Sequence, residues 1–230
     1  MKFYLSFLLV LSIVFSCAEN DGKFYDTSKL PDLTPITTAN YSVTFQSNWN
    51  ATNFPLDFPS NPAFGETILI THNNKGGLFI PSALSSLELT FFLTNNNLTP
   101  LQNNLNAQQA AMNLNWYNLG IFSTNSPNLP FLFSISSTKP VISLCMKINP
   151  SPNWFIGLSN FSLLENDGKW TDLTTVSLLA YDTDGFTQPT TTYNSIYTPN
   201  LGGFITKINP AVLIPNIPAT VIGTLTFTKL

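Results

Sequence analysis

Arginine is absent from the 230 residues, and all nine basic residues are lysines. Charged side chains make up only 9% of the chain, with a formal net charge of −3. A nucleic-acid surface needs a basic stripe to displace counterions and bidentate arginine to read base edges. Neither can be assembled here, so nucleic acid is excluded as a partner. Histidine occurs once, as His72, and cysteine twice, as Cys17 and Cys145. That supply cannot fill a tetrahedral zinc site, and it makes no disulfide framework. No Gly-x-Ser-x-Gly string occurs, so a hydrolase reading has no nucleophile motif behind it.

What is present is apolar. The chain is 43% hydrophobic and 13% aromatic, enough to bury a sizeable core despite its many Asn and Thr residues. The first apolar stretch, residues 3–16 after Lys2, is shorter than the roughly 20 residues of a membrane span and suits the core of an export signal. Two processing readings stay open. Val14-Phe-Ser-Cys17 resembles a lipobox, which would make Cys17 a lipidation site and the first mature residue. Ser16-Cys-Ala18 also fits small-x-small cleavage and a freely secreted chain. Both place the protein outside the cytoplasm, either secreted or as a cell-surface or outer-membrane lipoprotein. With Cys17 lipidated or removed, Cys145 has no disulfide partner.

The domain plan is a signal segment (1–17), a polar tether (18–39) and one domain (40–230). The tether carries Glu19, Asp21, Asp26 and Asp32 with Pro31 and Pro35, and shows no period. Beyond it, short apolar runs alternate with Pro, Asn and Gly. Residues 41–46, 66–71, 131–135, 141–148, 154–163, 174–181 and 224–228 read as strands, with a hairpin turn at 164–168. Thr99 as cap and Pro100 at the first position suggest one short helix ending near 110–112. The expected fold is all-β, an antiparallel sandwich of about eight strands with at most a short helix.

Several residues are candidates for function. Asp182 and Asp184 are two positions apart in Ala180-Tyr-Asp-Thr-Asp-Gly-Phe-Thr187, in a chain that spends little charge elsewhere. They either end a strand as a solvated turn or hold a cation. His72, at the end of an apolar run, suggests a structural hydrogen bond. Trp49, Trp116, Trp154 and Trp170 either stack on sugars or anchor the core.

The most specific string is Pro150-Ser-Pro-Asn-Trp-Phe-Ile-Gly157. It resembles the Pro-Ser-Pro-Asp-Trp-Phe-x-Gly signature of the spondin N-terminal (F-spondin-type) domain family. Cys145-Met146 before it, and Trp170 and Tyr181-Asp-Thr-Asp-Gly-Phe-Thr187 after it, follow the family's order, the last shortened by two residues. So do Tyr41-Ser-Val-Thr-Phe45, Trp49, Pro55-Leu-Asp-Phe-Pro59 and Thr71-His72.

The resemblance implies a C2-like β-sandwich with one calcium ion held by loop oxygens. Its ligand positions fall on Asn153, Asp182 and Asp184. Asn153 replaces the family's first aspartate, which removes one of three charges. An affinity on the order of 10⁻⁴–10⁻³ M is expected in consequence. The resemblance further implies a non-catalytic adhesion or binding module with a protein or glycan ligand at the cell surface or matrix. The alternative is a carbohydrate-binding surface module using the aromatic side chains.

Overall fold

The computed structural model describes residues 37–55, 58–73, 77–125, 128–151, 153–183, 203–208 and 221–230. The chain is all-β. Its strands are β1 (Thr38–Ser47), β2 (Ala63–His72), β3 (Leu114–Ile121), β4 (Phe131–Ser136), β5 (Val141–Asn149), β6 (Trp154–Ser162), β7 (Leu173–Asp182), β8 (Thr206–Lys207) and β9 (Gly223–Lys229). Two helices, α1 (Leu87–Asn95) and α2 (Thr99–Ala110), lie between β2 and β3.

All pairings are antiparallel, in the order β3-β2-β5-β6-β7-β9-β1-β4, with β8 beside β7. β7 belongs to two layers. Its first half pairs with β9 from Leu173↔Thr228 to Leu178↔Gly223. Its second half pairs with β6 from Leu179↔Gly157 to Asp182↔Trp154. The sheet therefore folds over along β7, and its two wings enclose one core. Tyr41, Val43 and Phe45 of β1, Leu225 and Phe227 of β9, and Leu144, Met146, Trp154 and Ile156 of β5 and β6 meet there. The two end strands are bridged by side chains: the Tyr117 hydroxyl of β3 donates to the Ser134 carbonyl of β4 at 2.9 Å.

A second apolar cluster covers the outer face of the β2-β5-β6 wing. Ile68, Ile70, Cys145, Phe155 and Tyr181 face Leu89, Phe92 and Leu93 of α1 and Leu101 and Leu105 of α2. This explains why β5 reads as an uninterrupted apolar run: it is buried on both faces from Val141 to Ile148. β9 has one face toward solvent, and its Thr/apolar alternation follows from that.

The strands expected from the sequence are present, and β1 begins at Thr38, inside the stretch assigned to the tether. Three elements were not expected. α1 is capped by Ser86, whose Oγ accepts the Leu89 N–H at 3.2 Å, and it ends on Asn96 in the left-handed region. β3 and β8 are the others. The expected helix α2 starts at Thr99 with Pro100 in its first turn, but Thr99 does not cap it. The Thr99 N–H is instead taken by Asn97 Oδ1 at 3.2 Å. Among the described residues, no helix is long and apolar enough to cross a membrane.

Candidate functional site

The link between β5 and β6 carries the Pro-Ser-Pro-Asn string. Ser151 Oγ donates to the Ile148 carbonyl at 2.7 Å and accepts the Trp154 N–H at 3.1 Å, tying the loop to both strands it joins. Trp154, 1% exposed, enters the central core and fixes the start of β6. Asn153 is thereby held at the strand end beside Asp182, the last residue of β7, because Trp154 and Asp182 are register partners.

The side chains meet. Asn153 Nδ2 donates to Asp182 Oδ1 at 2.8 Å and to Thr183 Oγ1 at 3.2 Å. All three residues are buried: Asn153 is 0%, Asp182 6% and Thr183 1% exposed. Asn153 Oδ1 has no hydrogen-bond partner, one of two such buried side-chain atoms among the described residues. A buried amide oxygen without a donor costs about 1–3 kcal/mol, so this atom needs an explanation. Asp184, the third residue of the expected set, lies outside the described residues, as does Cys17. Among the described residues, no cluster of three or more His, Cys, Asp or Glu side chains is present.

Gly157 shows why the string closes with glycine. A Cβ there would lie 2.7 Å from two ring atoms of Phe79 and 2.9 Å from the Leu144 carbonyl oxygen. Phe79 fills that space and packs edge-on against Phe155 at 4.9 Å and against Tyr181 at 5.1 Å. Tyr181 immediately precedes Asp182, so this aromatic stack sets where the end of β7 lies.

These residues fall inside a wider match. The family model described as Spondin_N matches residues 39–211. The chain belongs to the spondin N-terminal domain family. Human Spondin-2 is 27% identical over 162 residues, covering 65% of this chain and 47% of Spondin-2. The chain thus matches about half the length of that curated relative. The spondin match ends at 211, yet β9 lies beyond it and sits between β7 and β1 in the second wing.

The other candidates have structural roles. His72 is wholly buried, with Nε2 2.9 Å from Ser143 Oγ. Ser143 Oγ also accepts the Asn160 N–H at 3.1 Å. Burial lowers the His72 pKa to about 4, which keeps the ring neutral. Both side chains of this contact are 0% exposed. Trp49 and Trp154 are core residues. Trp116 Nε1 is spent on Asn106 Oδ1 at 2.9 Å, and Trp170 packs edge-on to Tyr41 at 6.5 Å. Trp49, Trp154 and Trp170 lie in or against the central core and Trp116 packs against the second cluster, so each indole is engaged in packing. The free thiol of Cys145 is buried, and desolvation raises its pKa far above the ordinary range.

Sequence reasoning passed over Thr183 and Lys147. Thr183 is the residue between the two aspartates, and its hydroxyl joins the Asn153 contact. Lys147 sits within the apolar run of β5 and is only 3% exposed. A charge inside a strand buried on both faces was its signal.

Proposed function

We propose that the protein is an extracellular, non-catalytic binding module of the spondin type, with calcium shaping the loop cluster at the end of β6 and β7. The observation that carries this reading is the buried Asn153 amide, held on the Asp182 carboxylate through Nδ2 with its Oδ1 left unpartnered. The local donor set fits a hard cation: a carboxylate, an amide oxygen and a hydroxyl, with no nitrogen or sulfur ligand required. Asn153, Asp182 and Thr183 would hold the ion, with Asp184 as the further carboxylate assigned by the sequence. Bound calcium would supply positive charge that fixes two loops relative to each other. The protein's own residues provide the rest: Ser151 and Trp154 hold one loop, and the Phe79–Tyr181 packing holds the other.

The non-catalytic reading is supported by the family and by the burial of the one histidine. The ligand is proposed to be a protein or glycan at the cell surface or matrix, met by loops on a rigid two-layer scaffold. Location outside the cytoplasm is supported by membership of the spondin family, with lipid anchoring at Cys17 or free secretion as the two proposed forms. Calorimetric titration of calcium into the wild-type protein and Asp182→Ala tests the site. Saturable binding in the wild type, lost in the variant, is the expected result. Absence of binding in the wild type would refute the calcium reading.

A further inference from the structure

We infer that Asn153 keeps the junction between the β5–β6 loop and the end of β7 closed without calcium: its amide latches Asp182 when no ion is bound and can turn its oxygen to an ion when one is. This rests on the proposed calcium site and adds a property specific to this chain.

A carboxylate can only accept hydrogen bonds. An aspartate at 153 would therefore offer Asp182 no donor. Two buried carboxylates about 3 Å apart cannot both stay ionised without a cation between them. Asn153 removes that conflict. Its Nδ2 reaches Asp182 Oδ1 at 2.8 Å and Thr183 Oγ1 at 3.2 Å, so the two loops are joined by a charge-assisted hydrogen bond. The contact is out of solvent, because Asn153 is 0% exposed.

The same amide has a second useful orientation. A half-turn about the Cβ–Cγ bond exchanges Nδ2 and Oδ1. Oδ1 would then lie about 3 Å from the Asp182 oxygen, a repulsive approach for two bare acceptors. It is an ordinary spacing for neighbouring ligands of one calcium, whose bonds are about 2.3–2.6 Å long. In the orientation seen, Oδ1 is the atom left without a partner. One residue thus serves two states, with a donor toward Asp182 in the ion-free state and an acceptor toward the ion in the other.

The test compares melting temperatures of the wild-type protein and N153D in excess chelator and in millimolar calcium. Wild type should melt only about 1–5 °C lower in chelator than in 1 mM calcium, the shift that binding at about 10⁻⁴–10⁻³ M gives by mass action. N153D should melt at least about 5 °C lower in chelator than wild type, and calcium should restore it. A wild-type protein that loses as much as N153D on chelation would overturn the inference, and so would N153D matching wild type in chelator. Should N153D fail to fold even with calcium, Asn153→Ala decides. Loss of the donor should lower its melting temperature in chelator by several degrees, and an unchanged value would overturn the latch. Calorimetry separates the two ideas. If neither wild type nor N153D binds calcium, the proposed site fails, while the chelator comparison still reads the latch.

Discussion

Gly157→Ala tests how the aromatic stack sets the end of β7. The new methyl would lie 2.7 Å from the Phe79 ring and 2.9 Å from the Leu144 carbonyl, well inside contact distance. The ring cannot swing aside freely. It is 3% exposed and packed against Phe155 at 4.9 Å and Tyr181 at 5.1 Å, while its own carbonyl accepts the Ser159 hydroxyl at 2.8 Å. Overpacking of this kind costs about 1–3 kcal/mol. Removing a glycine from the unfolded chain returns about 0.4–1 kcal/mol. At mid-range the net is a loss of about 1.3 kcal/mol, or roughly 3–5 °C in melting temperature for a domain of this size. Differential scanning calorimetry reads the shift. A double-mutant cycle with Phe79→Leu adds the mechanism, because a smaller, more yielding side chain should absorb part of the methyl and make the two changes less than additive. An unchanged melting temperature for Gly157→Ala, or strict additivity with Phe79→Leu, would refute the reasoning.

Other perturbations follow from buried titratable groups. Lys147 is 3% exposed with no acceptor among the described residues, and desolvation lowers its pKa from 10.5 to about 8. Near pH 7 the fold therefore carries a partly desolvated ammonium, and Lys147→Met should raise stability by about 1–3 kcal/mol in urea melts; destabilisation would count against this. His72 titrates at 6.5 when unfolded and at about 4 when folded. The unfolded chain binds the proton first, so stability falls as pH drops from about 6.5 toward 4, by about 3 kcal/mol in full. His72→Gln should flatten that part of the stability–pH curve, and an unaltered slope would show that another group governs it.

Much of the fold is legible in the sequence because the strand signal follows burial directly. β5 shows no alternation because it lies between the central core and the helices. β9 alternates because only one of its faces is covered. β3 was missed because Asn115, Asn118 and Gly120 dilute its apolar positions. It is held by pairing with β2 from Glu66↔Ile121 to His72↔Leu114, a long-range fact that no local pattern carries. The signal for α1 was present in Ser86, Glu88 and the Leu89-Phe92-Leu93 stripe, but the surrounding Leu and Phe residues also suit a strand.

At the site, the spondin resemblance named Asn153 and Asp182, and their side chains do meet at 2.8 Å. The sequence could not show that the amide nitrogen, rather than the oxygen, faces the carboxylate. That choice depends on which acceptors lie within reach. Nor could it show Thr183 as a third participant, since a threonine between two aspartates in an extended segment would be expected to point away from both.

The most direct test of the account follows the side-chain amide of Asn153 by NMR, in the full mature chain, as calcium is added to about 10 mM. The account predicts a hydrogen-bonded NH₂ pair in the ion-free protein that shifts saturably with calcium and fails to shift in Asp182→Ala. An Asn153 amide that stays fixed through the titration would contradict it.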